Sequence, residues 1–181
     1  MLLSQTQLLH SSVEIGSISE VRGNAQVLRD KAYGAELQFD IQQMDDVRTE
    51  AGRVAITFED SSTVKLTEHS KLVIDEYIYD PDPSKSKMAL KFASGTARFI
   101  TGKFNNKSNI SIRTPTADIA IRGTDFTCTV DELGRSLVIL LPDENGISSG
   151  EIIVSTAMGS VTLNKPYQAT TVNVFEITAA V

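Results

Sequence analysis

The sequence has one cysteine, two histidines and no apolar run long enough to cross a membrane. A single cysteine excludes an internal disulfide and a cysteine-rich zinc site, so Cys128 is predicted to be a small core residue. The longest apolar run, residues 137–141, is far shorter than the roughly 20 residues of a spanning helix. Residues 1–10 have no lysine or arginine and no long apolar centre, so we expect no secretory signal. We therefore expect a soluble protein without membrane insertion, which stays in the cytoplasm unless an unseen leader exports it.

The chain also has no excess of basic residues over acidic ones. The formal net charge is −6 and the sequence pI is about 4.9. No overall positive field attracts the chain to phosphate backbones, so we predict that nucleic acid is not a partner. With 41% hydrophobic and 22% charged residues, the composition is that of an ordinary globular domain.

The residue patterns of common enzyme sites are mostly missing too. No P-loop or GxGxxG pattern occurs, and neither His10 nor His69 has an HExxH-type partner. His69, between Glu68 and Ser70, is more typical of a solvated turn than of a catalytic group. We therefore predict that the protein is not an enzyme and uses no cofactor.

Acidic residues crowd one stretch, residues 75–82, where Asp80 and Asp82 are weak candidate ligands for calcium. The spacing matches no EF-hand loop and two lysines follow directly, so we favour a solvated, self-neutralising loop over a metal site. Two prolines exclude a central strand here, and residues 80–87 are predicted to form a surface loop.

The sequence is rich in alternation of apolar and polar residues with a period of two. Short alternating segments separated by turn residues recur every eight to twelve residues, and no segment after residue 12 has a convincing helical period. This pattern predicts an all-β sandwich, barrel or short solenoid-like stack of strands, and the lack of fixed-length repeats disfavours the solenoid. The unbroken apolar run at 137–141 predicts a strand covered on both faces.

The length fits one domain or two small halves that share a core. We expect residues 1–12 to form an N-terminal arm and residues 13–181 to form the β domain. The loop at 80–87 is the candidate boundary between two related halves, residues 13–79 and 88–181.

Residues 112–130 are the stretch around which we expect the fold to be organised. Ile119 and Ile121 alternate with polar or small neighbours, residues 122–125 interrupt the alternation, and Phe126 resumes it on one face. The break at Gly123 predicts a bulge or corner between two buried strands.

Arg122 and Asp125 flank Gly123 and Thr124 at this corner. An arginine fork and a carboxylate placed there could satisfy backbone groups that the interrupted ladder leaves unpaired. We predict this structural role for the two side chains in preference to ligand binding. The stretch also has a weak echo upstream, because residues 47–56 resemble residues 112–121.

The stretch from Asn109 to Phe126 reads N-I-S-I-R-T-P-T-A-D-I-A-I-R-G-T-D-F, with Pro115 inside the threonine-proline part. It resembles the threonine-proline segment and the hydrophobic Arg-Gly-Thr motif of FecR-type domains. Residues 21–27 and 54–64 are similar to the opening strand and the acidic-turn hairpin of that family. The resemblance covers roughly residues 13–140 and implies an all-β, non-enzymatic interaction domain, known from periplasmic signal-relay and envelope proteins and present in tailed-phage genomes.

Our leading hypothesis from the sequence is a structural or protein-interaction module of a larger assembly, such as the tail, neck, baseplate or capsid surface of a phage virion. Short strands offer edges on which another chain can pair, so we expect self-association or other assembly subunits as partners. The alternative is an extracytoplasmic, periplasmic FecR-type signalling or sensing domain. A second alternative, a calcium-binding or glycan-binding β protein, depends only on the acidic loop.

Overall fold

The fold is given by a computed structural model, which describes residues 13–104 and 109–181. The predicted N-terminal arm, residues 1–12, lies outside the described residues. The strands are β1 (Glu14–Arg22), β2 (Ala25–Leu28), β3 (Ala32–Gly34), β4 (Asp40–Gln42), β5 (Asp46–Thr49), β6 (Arg53–Phe58), β7 (Thr63–Leu66), β8 (Lys71–Ile78), β9 (Lys87–Ile100), β10 (Asn109–Arg113), β11 (Asp118–Arg122), β12 (Asp125–Val130), β13 (Ser136–Leu140), β14 (Glu151–Thr156), β15 (Gly159–Leu163) and β16 (Ala169–Val172). A single 3-10 turn, Pro83–Lys85, is the only helical element within the described residues.

The prediction of an all-β protein is confirmed, and the strands form a large mixed sheet that is not closed into a barrel. The sheet is arranged in two layers. Layer A has the order β4-β1-β6-β7-β9-β12-β13-β16, and layer B has the order β3-β2-β5-β8-β9-β10-β11-β14-β15. Every pair is antiparallel except β9 with β10. Within the described residues, no helix is long and apolar enough to cross a membrane.

Strand β9 belongs to both layers. Its first half, residues 87–94, pairs with β8 and β10 in layer B, whereas residues 95–100 pair with β7 and β12 in layer A. Gly95 stands at the change of layer with φ of 93°, a value that favours glycine. The longest strand therefore joins the two layers through the middle of the molecule.

The core lies between the two layers, and the alternation in the sequence decides which side chains enter it. Ile119 and Ile121 on β11 are buried, as are Phe126, Cys128 and Val130 on β12, while the residues between them are more exposed. Aromatic contacts join the layers, because the rings of Phe92 in layer B and Phe99 in layer A lie 5.9 Å apart. The prediction that Cys128 is a core residue is confirmed, and its burial raises the thiol pKa to about 12.

Strand β13 differs from its prediction. Its side chains alternate, with Val138 and Leu140 buried, Leu137 37% exposed and Ile139 only partly buried. The expectation of a strand covered on both faces was wrong. An apolar run cannot by itself tell a strand inside a stack from one with an outer apolar face, and here the outer face of layer A is uncovered by the described residues.

Loop 80–87 connects β8 to β9, which are antiparallel neighbours with Ile78 opposite Lys87. The echoing segments are placed differently: residues 47–49 and 54–56 lie in β5 and β6 of different layers, whereas β10 and β11 pair within layer B. Apart from Ala55, the buried apolar residues of the described chain form one cluster that includes strands from before and after the loop. The division into halves at this loop stays a prediction.

Candidate functional site: the Gly123 corner

The corner predicted at Gly123 connects the end of β11 in layer B to the start of β12 in layer A. Gly123 has φ of 56°, in the left-handed region where a side chain is strained. Gly150 packs against this corner so closely that a Cβ on it would overlap the Gly123 carbonyl group. The chain thus changes layer at Gly123 because glycine adopts the left-handed conformation that the turn requires. Gly150, which has no side chain, allows the loop between β13 and β14 to approach the corner.

Hydroxyl groups from two other segments hold the backbone of the corner. The Thr124 amide donates to Thr101 Oγ1 at 3.1 Å, and the Asp125 amide donates to Ser149 Oγ at 3.0 Å. Ser149 Oγ in turn donates to the carbonyl oxygens of Leu141 at 2.7 Å and Asp125 at 3.2 Å. The backbone groups that the interrupted ladder leaves free are therefore satisfied by threonine and serine.

The charged side chains of the corner form ion pairs with other side chains. Asp125 receives two hydrogen bonds from Arg98 on β9, at 2.9 and 2.5 Å, and this pairing raises the pKa of Arg98. Arg122 contacts Glu151 on β14 at 3.3 Å, and its side chain is 59% exposed. Neither side chain bonds the corner backbone in the described residues, so the role predicted for them is carried out by Ser149 and Thr101. A stabilising role for Arg122 and Asp125 stays a prediction.

The other motif residues point into the molecule or join its turns. Phe126 is fully buried and its ring stacks on Phe99 with centroids 5.1 Å apart. Thr124 is 4% exposed, and its hydroxyl has no hydrogen-bond partner in the described residues. Pro115 lies in the turn between β10 and β11, where it faces Gly134 in the turn between β12 and β13.

The threonines on either side of Pro115 fasten this turn to the neighbouring one. Thr114 Oγ1 and Thr116 Oγ1 lie 2.7 and 2.8 Å from Ser136 Oγ, and Thr116 also donates to the Gly134 carbonyl at 2.9 Å. Because β10 and β11 belong to layer B and Ser136 begins β13 in layer A, the threonine-proline segment ties the two layers together at the end opposite the corner.

A cleft of about 460 Å³ opens beside the corner, lined by Arg98, Ile100, Thr101, Gly123, Thr124, Asp125, Pro142, Asp143, Glu144 and Ser149. Two of its four charged side chains, Arg98 and Asp125, form an ion pair with each other. Asp143 Oδ1 accepts the amides of Asn145 and Ile147 within its own turn. The cleft holds no histidine or cysteine, so none of its lining residues forms a nucleophile and base pair of the usual kind.

The weak metal candidates, Asp80 and Asp82, are used by their own loop. Asp80 Oδ1 accepts the Asp82 amide at 2.8 Å, and Asp82 Oδ1 accepts the amide and hydroxyl of Ser84. Across residues 13–104 and 109–181, no three histidine, cysteine or acidic side chains are grouped so that they could hold a metal ion. These carboxylates cap a turn, as Asx residues commonly do.

The burial of two aspartates, Asp45 and Asp60, was not predicted from the sequence. Asp45 is fully buried and forms two 2.7 Å hydrogen bonds with Arg29, while Asp60, also fully buried, accepts from Tyr77 Oη at 3.0 Å and from the Ser62 hydroxyl. Burial raises the pKa of Tyr77 well above its usual value. Both aspartates lie in acidic turns of ordinary composition, so the sequence carried no signal for their burial. The roles of Arg98 and Ser149 were not predicted either, because their partner Asp125 is distant from both in sequence.

Comparison with known proteins agrees with this architecture. The family model described as FecR protein matches residues 45–162, which is more than half of the chain and includes the corner and the threonine-proline turn. The chain matches no curated protein. Two crystal structures of a proposed anti-sigma factor from Parabacteroides distasonis, at 1.65 and 2.50 Å resolution, are similar, each with a TM-score of 0.57 and 18% sequence identity.

Each likeness covers 74% of this chain and 57% of the crystallised chain, so this chain corresponds to little more than half of that protein's length. At 18% identity the likeness shows a shared fold. The match of the family model over residues 45–162 shows the family: the chain belongs to the FecR protein family.

Proposed function

We propose that this chain is a non-enzymatic FecR-type signalling or sensing module that works outside the cytoplasm by binding other proteins. The observation that carries the proposal is the family match over residues 45–162. The fold shared with a proposed anti-sigma factor supports it, since anti-sigma factors act through protein contacts.

The chemistry of the corner supports a binding role over a catalytic one. The Asp125 carboxylate pairs with Arg98, Arg122 pairs with Glu151, and the hydroxyls of Thr101 and Ser149 form hydrogen bonds with backbone groups. The one histidine in the described part of the chain, His69, is exposed in a turn with φ of 55°. A catalytic group needs a free proton or lone pair within reach of a substrate, whereas the paired groups of the corner are engaged with other protein groups.

The leading sequence hypothesis, a building block of a phage virion, receives no support from the family match or from the similar structures. The signalling alternative is the better supported of the two. With it, the preferred location changes from the virion or cytoplasm to an extracytoplasmic compartment.

Binding experiments with purified proteins test this proposal. We expect the chain to form a one-to-one complex with the signalling domain of a receptor, or with a sigma regulator, encoded beside its own gene. Isothermal titration calorimetry would measure that complex, and an unrelated β sandwich of similar charge would serve as the control. Absence of binding to both candidates, together with self-assembly into regular particles by electron microscopy, would favour the virion hypothesis and overturn the proposal.

A further inference from the structure

A second cleft, of about 410 Å³, lies apart from the Gly123 corner. It is formed where β1 begins, where the turn between β4 and β5 passes, and where β8 ends. Its lining residues are Val13, Ile15, Gln43, Glu59, Tyr77, Ile78 and Tyr79. The volume is within the range of small-molecule and side-chain binding pockets.

One wall of the cleft is a fixed group of aromatic rings. Tyr77 stacks on Phe58 with centroids 5.2 Å apart, and Phe104 meets the rings of Tyr77 and Tyr79 edge-on, each at 5.9 Å. The Tyr77 hydroxyl donates to the buried carboxylate of Asp60, which holds the ring in place. A wall of this kind is formed before any partner arrives, so binding there orders few side chains.

The mouth of the cleft exposes apolar surface. Val13 is 72% exposed, Ile78 is 44% exposed and Tyr79 is 43% exposed, although all three are large apolar or aromatic side chains. Adjacent exposed apolar residues around a cleft are typical of a binding surface, whereas single exposed ones are ordinary.

Glu59 is the one charged residue among those that line the cleft. Its side chain is in no ion pair with the described residues, in contrast to the paired carboxylates of the corner. The Glu59 amide donates to the Ile15 carbonyl at 3.1 Å, so the backbone that carries the carboxylate is anchored to β1. The cleft therefore combines one carboxylate, a tyrosine ring that is 43% exposed and aliphatic surface.

We propose that this cleft receives an arginine or lysine side chain from a partner protein, which rests on the proposed protein-binding function. The cation would pair with Glu59 and lie near the face of Tyr79, while its aliphatic stem would pack on Ile78 and Val13. An anionic ligand or an anionic membrane surface is repelled by the same carboxylate and by the net charge of −6. A metal ion needs more oxygen ligands than the single carboxylate of this cleft supplies.

Peptide binding tests the proposal directly. The probes are three capped five-residue peptides that differ only at the centre, which is arginine, norleucine or glutamate. In amide NMR spectra of the full chain, the arginine peptide is expected to shift the signals of Glu59, Ile78 and Tyr79 and to bind about tenfold more tightly than the norleucine peptide. Binding is expected to weaken as sodium chloride is raised, and the glutamate peptide is expected not to bind.

Matched variants locate the site. Glu59→Gln keeps the size of the side chain and should lower the affinity for the arginine peptide about five- to tenfold, while Glu59→Lys should abolish it. Glu132→Gln, in the exposed turn between β12 and β13, is the control with an equal change of charge and is expected to leave binding unchanged.

Three results would overturn the inference. The first is equal affinity for the arginine and glutamate peptides, and the second is an equal loss of affinity for the arginine peptide in Glu59→Gln and Glu132→Gln. The third is binding of the arginine peptide that appears only after residues 1–12 are deleted. The last result would mean that the chain's own N-terminal segment competes for the cleft. If the Glu59 variants still form the complex described under the proposed function, only the assignment of this cleft fails. If wild type forms no protein complex at all, the proposed function fails with it.

Discussion

Gly95 and Gly123 are two of the glycines at which the chain passes from one layer to the other, and they differ in what surrounds them. Gly95, inside β9, has φ of 93°, and a Cβ added to it would lie 2.5 Å from the Cα of Ser70. Gly123, between β11 and β12, has φ of 56°, but a Cβ there would meet no atom within 4 Å. The first glycine is required by both conformation and packing, whereas the second is required by conformation alone.

This difference separates the interior of the fold from its surface. At Gly95 the crossing is made by one continuous strand that is packed against Ser70, so neither backbone nor neighbour can move easily. At Gly123 the crossing is open to a cleft, and it is held from outside by hydroxyls and ion pairs. Substitutions are therefore expected to destabilise the fold less at the Gly123 corner than at Gly95, even though the sequence motif around Gly123 is the more recognisable of the two.

The largest effect is expected for Gly95→Ala. The added methyl group clashes with the Cα and the side chain of Ser70, and alanine is strained at this φ, so we expect a loss of about 3 kcal/mol or more in the free energy of unfolding. Urea denaturation measures it. Gly34→Ala, at a position with no atoms within 4 Å of the added Cβ and no left-handed φ, should change stability by less than about 0.5 kcal/mol. Similar values for the two variants would contradict the packing argument.

The strands that leave the two corners meet at Cys128, which lies opposite Ala97. The Cys128 pKa is raised to about 12 by burial, from an ordinary value of 9, so the folded state keeps its proton where the unfolded state loses it. The stabilisation is complete below pH 9 and is lost as pH rises toward 12, by about 1.4 kcal/mol per pH unit. Urea denaturation at pH 8 and pH 10 should therefore show a larger drop for wild type than for Cys128→Ala. Equal drops in stability for wild type and Cys128→Ala would indicate that the thiol is accessible to solvent.

Ser149→Ala tests whether hydroxyls hold the Gly123 corner. Removal of Oγ leaves the Asp125 amide and the Leu141 carbonyl without this partner, at an expected cost of about 1–2 kcal/mol. Ser160→Ala on β15 is the control, since Ser160 is exposed and forms no side-chain hydrogen bond within the described residues. Thermal denaturation would show the difference, and an unchanged melting temperature for Ser149→Ala would exclude the serine from the role assigned to it.

Gly123→Ala should cost about 1 kcal/mol, because only the left-handed φ is strained. Gly123→Asn should cost less than Gly123→Ala, since asparagine adopts this conformation more readily. A loss as large as that of Gly95→Ala would remove the distinction between the two corners.

The smallest effect is expected for Arg122→Ala, at less than about 1 kcal/mol, because the ion pair with Glu151 is largely exposed. Arg98→Ala should cost more than Arg122→Ala, since its partner Asp125 is only 17% exposed and accepts two hydrogen bonds. Melting temperatures of the two variants, measured side by side, would check the order. The reverse order would restore the stronger structural role that the sequence predicted for Arg122.

Residues close in sequence were predicted well, and contacts between distant residues were not. Alternation around Ile119 and Phe126 placed both in the core, and the glycine between them marked the corner. The partners of that corner were not predicted, because Arg98 and Ser149 are 27 and 24 residues from Asp125. The prediction for β13 failed for a related reason, since apolar composition does not reveal whether a second layer covers the outer face.

The sequence by itself determined the period-two strands, the glycine at which the chain turns and the membership in the FecR family, because each is written in neighbouring residues. Only the tertiary structure decided which hydroxyls and charges hold the corner, which aspartates are buried and where Glu59 faces an open aromatic cleft. The physical reason is strand pairing: it brings together residues tens of positions apart, and a side chain's burial and partners are fixed only once that pairing is formed.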